Sequence, residues 1–577
     1  MWQSKIRNLP LYSSRRILQQ KHYAKSMKST SATVIDQQTD AEKLKSTTTP
    51  NLISDSIKTG PYLAKNPKAT LVNAEEQQTI SFDDIPGPIS LRFISKFWSM
   101  VPVMETEIII RLAQYFLSGG KFFRGILSWG GNMSFFKKFF NEYGPVVRIH
   151  GAFGSDVVLL SRPEHACAIF RSEGQYPIRS CLDSVEKYRL ECRKYRQAGP
   201  FLSHGPDWEK VRKSLEQPMQ STLTDQYDKL QNICDELVDR IMAIRNKQEE
   251  MPNNFDVEIY KWSLECLSAV TLNKKLGFLD PCGVSPTSDP GKLLEGLFGA
   301  TDAIRKCEYA FHFWKFFNTP AWKSLVANCD MVDSVLNKYV EKAMNTLKEG
   351  KASNIPLERV SLLESLLLKE GIVEEDVMTV MLDMFLIGAN ATAHTVAFLL
   401  YHLARNPRCQ IRLYEELKKY NNNVTKSELM SIKYLQACVK ECLRLDPPMP
   451  ILSRVLNNDV VIHHYRIPKG TNILFATHLN NMGDDYFEDA TRFKPERWLT
   501  DELGGFGNEY QAFASMPFGH GPRACLAKDL AETEIAMVLF KICKKFRIEY
   551  NYGDIKSSNA FLASPTKPLK FRFINRI

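Results

Sequence analysis

The sequence predicts one large, mainly helical domain with a small β portion. Three observations lead there. The chain has 577 residues of ordinary globular composition, 44% hydrophobic and 24% charged, enough to bury a sizeable core. Most of it carries apolar residues at helical spacing. Only two short regions alternate in the manner of strands, and no internal repeat is visible.

The start is basic. Residues 1–35 contain Lys5, Arg7, Arg15, Arg16, Lys21, Lys25 and Lys28 and no Asp or Glu. With the short amphipathic piece SSRRILQQ, this is the composition of a mitochondrial transit peptide; a basic unstructured tail has the same composition. These residues hold most of the net charge of +10, so the remainder is only mildly basic. No basic patch interleaved with aromatic residues argues for nucleic acid. Residues 36–80 are rich in Thr, Ser, Gln and Lys and read as a flexible linker. The folded domain is expected over 81–577, opening at FDDIPGP, where Pro-Gly-Pro favours extended backbone.

GPVVRIHGAFGSDVVLLS (144–161) alternates β-branched residues around a glycine turn, as a hairpin does. LTDQYDKLQNICDELVDRIMAIRNK has helical periodicity. EEDVMTVMLDMFLIGANATAHTVAFLLYHLARNP is a long helix, apolar nearly all round at its centre, and is expected to run through the middle of the protein. NNDVVIHHYRIPKGTNILFATH (457–478) is a second strand-like pair. No run of about eighteen apolar residues occurs, so no spanning anchor is expected. The thirteen cysteines are scattered, with no CxxC pair. That argues against a disulfide framework or a structural zinc site and suits a reducing compartment.

One cysteine stands out, in MPFGHGPRACLAKDLAETEIA (516–536). A thiolate is a soft ligand that haem iron accepts. A helix starting just after Cys525 would offer N–H groups and its positive dipole end to the sulfur charge. Gly521 lets backbone pass close to a flat ring. Arg523 can meet a carboxylate, and Phe518 can shield the sulfur. A buried inert cysteine before a helix is the plainer reading, but it leaves Gly521 and Arg523 unexplained.

Phe518, Gly521, Arg523, Cys525 and Ala527 resemble the F-x-x-G-x-R-x-C-x-[GA] signature of the cytochrome P-450 family. Further marks follow in the family's order. KECLRLDPP holds Glu441-x-x-Arg444 and FKPERW holds Arg497, matching a Glu-Arg-Arg cluster that supports the cysteine loop. GPDWEKVRKSL sets Trp208 and Arg212 four apart, on one helix face, and Arg454 lies in PILSRVL. The resemblance implies a haem-thiolate fold from about residue 82 to the end. Haem b would be ligated by Cys525, with its propionates held by Trp208, Arg212, Arg454 and Arg523.

FDDIPGP, EGQYPIR, YKWSLECL and YHLARNP are similar to phrases of the mitochondrial branch. That implies a monooxygenase acting on an apolar, sterol-like or foreign compound, peripheral to the matrix side of the inner membrane. Its electrons would come from an adrenodoxin-type ferredoxin, itself reduced by an NADPH-dependent flavoprotein. The acidic partner needs a basic dock, expected at Lys433, Lys440 and Lys528. The branch pattern is incomplete here, since Gln436 and Asp529 stand where it usually has cations.

The departure from the family lies on the central helix, whose pattern is [AG]-G-x-[DE]-T-[TS]. This chain reads Ile387-Gly388-Ala389-Asn390-Ala391-Thr392. The acid is replaced by Asn390 and the first threonine by Ala391. That acid–alcohol pair orders water and relays the protons that splitting dioxygen requires. Gly388, Asn390 and Thr392 are therefore the candidate catalytic residues, with Thr392 or a substrate hydroxyl expected to carry the proton. Two other readings stay open: an isomerase or dehydratase of lipid hydroperoxides that needs no electrons, and a non-catalytic haem sensor or carrier.

Overall fold

The computed structural model describes residues 79–88, 133–150, 156–179, 182–308, 313–315, 317–353, 361–499, 511–558 and 563–576. The basic start and all but the end of the polar stretch lie outside the described residues. Every described residue belongs to one compact unit, Glu76–Ile577.

Helices dominate this unit. The principal ones are α1 (Met133–Tyr143), α2 (Pro163–Ser172), α3 (Gly205–Ile244), α4 (Phe255–Leu272), α5 (Asp289–Glu308), α6 (Pro320–Ser353), α7 (Glu374–Asp383), α8 (Ala389–Arg405), α9 (Lys433–Leu445) and α10 (Lys528–Lys545). Local chemistry fixes their ends. Proline occupies the first turn of α2 and α3, where its missing N–H costs nothing. Glu374, Glu375 and Asp376 open α7 and His402 and Arg405 close α8, as the helix dipole favours.

α7 and α8 share one axis, joined by a π-helical turn at Met384–Gly388. Among the described residues this run, Glu374–Arg405, is the one helix long and apolar enough to cross a membrane by length and composition. Its most apolar window is 72% buried inside the protein, as the all-round apolar sequence predicts for a core helix. The π turn inserts a residue and loosens the ladder. Hydroxyls meet nearby carbonyls: Ser263 Oγ donates to Ala389 O (3.0 Å) and Thr395 Oγ1 to Ala391 O (2.9 Å). Just ahead of the turn, Asp383 accepts from Arg189 (2.6 Å) and from the Phe201 N–H (2.8 Å). The 182–204 segment is thereby clamped to the central helix.

The β portion is small. β1 (Val146–Ile149) and β2 (Val157–Leu160) form the expected hairpin. The second strand-like region divides into three strands, not two. β4 (Val460–Ile462) and β5 (Tyr465–Ile467) pair with each other through a turn at His463 and His464, both with positive φ, as tight hairpin turns require. β6 (Asn472–Phe475) instead joins a four-stranded sheet of order β1-β2-β6-β3, with β3 at Leu452–Val455. β6 runs parallel to β2 (Val158 opposite Ile473) and antiparallel to β3 (Arg454 opposite Ile473). β7 (Phe546–Glu549) and β8 (Arg572–Asn575) form a separate pair.

The main core lies among α3, α4 and α7 to α10. A second cluster joins sheet residues Val146, Val158, Leu160, Ile473 and Phe475 to Ala166, Ile169 and Phe170 of α2. The sheet thereby fixes Arg454 on β3 and the end of α2, both of which reach the cysteine loop.

Candidate functional site

The cysteine loop is held by its own backbone. Gly519 N donates to Met516 O (3.0 Å), Ala524 N to Gly521 O (2.9 Å) and Cys525 N to Phe518 O (2.8 Å). Gly521 has φ +71, and a Cβ added there would sit 2.6 Å from Glu173 Oε1, so both strain and space require glycine. Cys525 precedes α10 by three residues, as the sequence predicts. Its side chain is solvent-accessible, yet protein surrounds it at longer range. That burial raises its thiol pKa, while the Ala527 backbone N–H and the charges of Arg179 and Arg212 pull it down. Burial outweighs them, so the thiol pKa stays raised, with the helix start and the two cations offsetting part of that cost.

Guanidinium groups converge on this loop. Arg212 on α3 donates to Ala524 O (2.9 Å) and Arg179 to Arg523 O (2.9 Å). Arg523 is buried over the Trp208 ring at 3.8 Å. It donates to Pro177 O (2.9 Å), Pro200 O (3.3 Å) and Ser203 O (2.6 Å), and meets His204 Nδ1 at 3.1 Å. Arg454 donates to His520 O (3.2 Å) and Ser453 O (2.8 Å), and its Nε to Glu173 Oε2 (2.6 Å). Trp208, Arg212, Arg454, Phe518 and Arg523 are thus brought around Cys525.

The carboxylate cluster forms as the spacing predicts. Glu441 and Arg444 on α9 are fully buried and doubly bonded, at 3.0 and 2.8 Å. Arg497 Nε adds a bond at 3.0 Å, Trp498 Nε1 one at 2.8 Å and the Lys494 N–H one at 2.9 Å. Burial alone would raise the Glu441 pKa; Arg444, the Lys494 N–H and Arg497 outweigh it and hold the carboxyl below its ordinary range. Arg444 also reaches Asn481 O (2.5 Å), Ala490 O (2.7 Å) and Arg492 O (3.2 Å). A buried ion pair is tolerable only when its remaining valences are met like this.

On the central helix, burial is broken in one place. From Phe385 to Leu400 the residues are buried except Gly388, which is exposed, and Asn390 and Ala391, which are half-buried. A Cβ at Gly388 would meet nothing within 4 Å. The helix is therefore least covered at Gly388 and at Asn390 and Ala391, which stand in place of the family's acid and threonine, with Thr392 buried beside them.

The Cytochrome P450 family profile matches residues 118–573. The chain belongs to the cytochrome P450 family. It is 29% identical over 534 residues to "Probable cytochrome P450 301a1, mitochondrial" of Drosophila melanogaster, covering 90% of this chain and 92% of that protein. It is 31% identical to "Cytochrome P450 CYP12A2" of Musca domestica, covering 82% and 90%. It is 33% identical to "Probable cytochrome P450 12a5, mitochondrial" of Drosophila melanogaster, covering 75% and 84%. The mitochondrial-type branch read from the sequence agrees with these relatives, and the protein is a P450 monooxygenase.

The family implies a haem-thiolate centre, and the residues present fit one. An exposed thiol at a helix start suits the iron, and the guanidinium donors suit propionates. Glu173 Oε1, among the arginines, is buried without a partner.

Three residues of this site were missed in the sequence: Arg179, Trp498 and Glu173. Arg179 and Glu173 lie in the EGQYPIR stretch, where only a branch resemblance was read, and Trp498 directly follows Arg497. The lysines expected to dock a partner are exposed. Lys440 and Lys528 both bear on Glu532, so they share a surface, and Lys433 lies two turns from Lys440 on α9.

Proposed function

We propose that this P450 binds haem b through Cys525 and hydroxylates an apolar lipid or foreign compound with electrons from an adrenodoxin-type ferredoxin. The observation that carries this reading is Cys525 at the head of α10, flanked by Arg179 and Arg212, with Lys440 and Lys528 on one nearby surface. Bound haem supplies dioxygen activation and one-electron chemistry. Trp208, Arg212, Arg454 and Arg523 hold its propionates. Phe518 shields the sulfur, and Glu441, Arg444 and Arg497 brace the loop.

On the other side, Gly388 leaves room for substrate and oxygen. Thr392, with Asn390 ordering water, replaces the acid–alcohol pair as donor of the proton. Lys433, Lys440 and Lys528 steer an acidic ferredoxin, reduced in turn by an NADPH-dependent reductase, to the cysteine side. The basic start is a mitochondrial transit peptide, and the names of several relatives agree with that compartment. The enzyme works on the matrix side of the inner membrane as a peripheral protein. Exposed Phe317, in the aromatic stretch AFHFWKFF, supports contact with the bilayer through which apolar substrates arrive.

The test needs no substrate. The protein without residues 1–35 is placed under carbon monoxide, free of oxygen. It is reduced with ferredoxin, its reductase and NADPH beside a dithionite control. A strongly red-shifted Soret band with both reductants is expected. The band with dithionite alone would remove the ferredoxin from this reading, and no such band would remove the thiolate.

A further inference from the structure

Glu173 caps the end of α2 and is out of place by composition: a carboxylate set into the region that must receive two more. Its Oε2 takes the Arg454 Nε at 2.6 Å, with the two side chains 6% and 3% exposed. Its Oε1 is buried without a partner and lies where Gly521 of the cysteine loop has no side chain. Burial raises its pKa, while Arg454, Arg523 and Arg179 all pull it back. Arg454 gives one N–H of Nη1 to Ser453 O and one of Nη2 to His520 O, which leaves a second N–H on each of these nitrogens for an acceptor. One carboxylate thereby links α2, β3 and the loop that carries Cys525.

We propose that Glu173 is a positioning residue for the haem: it grips Arg454 by its Nε edge, turns the outer edge toward a propionate, and tunes the reduction potential. The charges near the iron support this. Four guanidiniums, Arg179, Arg212, Arg454 and Arg523, gather around the Cys525 loop and would face two propionates and one thiolate when haem is bound. Glu173 is the fourth negative charge, so the reduced centre is neutral with it and positive without it. A buried cationic excess favours the electron-rich form, because interactions are strong in a poorly solvated site. Glu173 therefore holds the potential down while it fixes the arginine. The paired oxygen does the gripping, and Oε1 faces the loop glycine.

The inference rests on the haem-thiolate reading, and the experiment separates the two. Full-length holoprotein is compared with Glu173→Gln, which keeps the shape and removes the charge, and Glu173→Asp, which keeps the charge and shortens the reach. Three readouts are taken: the ferrous carbon monoxide spectrum, the midpoint potential by redox titration, and the rate of haem transfer to excess apomyoglobin. Both variants should keep the red-shifted band. Glu173→Gln should shift the potential positive and shed haem about tenfold faster, the lower end for losing a charge-assisted hydrogen bond. Glu173→Asp should keep the wild-type potential and still shed haem faster. An unmoved potential in folded Glu173→Gln overturns the proposal, because a merely structural role would change stability alone. Should Glu173→Gln not accumulate, unchanged haem loss in Glu173→Asp overturns it. A wild-type protein without the red-shifted band overturns this inference together with the thiolate reading.

Discussion

Glu534 on α10 is a carboxylic acid with no place for a charge. Burial pushes it up to about 8, and its Oε1 has no hydrogen-bond partner. Its folded pKa lies above the unfolded value of about 4.3. Its contribution is therefore fully present below that value and is lost as pH rises toward 8. Glu534→Gln should raise the melting temperature at pH 7 to 8 and leave it unchanged near pH 4, as read by thermal unfolding across pH. His394 works with the opposite sign. Burial pushes it down to about 4, so stability is whole above the unfolded value of about 6.5 and falls as pH drops toward 4. His394→Leu should flatten that acid limb in the same scans. Neither residue is remarkable in the sequence, because its burial is set by distant elements. The arrangement around Cys525, by contrast, was legible: Gly521, Arg523 and the helix that follows lie within a few residues of it.

At the scale of elements, the Glu441 cluster and the central helix behave differently under mutation. Glu441 serves Arg444, Arg497, Trp498 and Lys494 at once. Glu441→Ala strands two arginines and should cost about 3–5 kcal/mol, enough that haem-loaded protein fails to accumulate. Trp498→Phe removes the indole N–H bond to the Glu441 carboxylate, costs about 1.5–3 kcal/mol and should leave the carbon monoxide spectrum intact. The central helix has room to change. Gly388→Ala places a methyl in open space and should stabilise the helix by about 1 kcal/mol in chemical unfolding. Asn390→Asp with Ala391→Thr restores the family's acid and alcohol. Less hydrogen peroxide per NADPH consumed is the expected result, read with any substrate that gives a spectral shift. This helix and the first hairpin were legible because periodicity is local. The division of 457–478 into three strands was not, since β6 leaves its neighbour for a partner three hundred residues away, a choice made by the sheet.

For the whole molecule, charge distribution is where the proposed ferredoxin supply is tested. Away from residues 1–35 the chain is only mildly basic, so under that proposal a small set of lysines must do the steering. Charge reversal at Lys433, Lys440 and Lys528 together should slow reduction by ferredoxin at low ionic strength. The gap from wild type should narrow as salt approaches 1 M, where screening acts over about 3 Å. Stopped-flow reduction under carbon monoxide reads this directly, and a salt-independent difference would speak against docking there. The resemblance gave the overall architecture early, because its motifs are spread from Trp208 to Cys525. The substrate was not legible: specificity rests on side chains drawn from separated segments, with no shared local pattern.

The parallel pairing of β2 with β6 has a consequence for how the protein is born. Val158 waits for Ile473, Glu173 for Arg454, and Arg179 and Arg212 for the loop at 523–524. Closing such long loops before any contact rewards them makes folding slow. A chain emerging in order from a ribosome has made its sheet's first hairpin and its first arginines long before their partners arrive. The haem pocket is thus a late product of folding. Haem joins a nearly finished protein and then locks it, because a ligand that binds only the closed form holds that form closed.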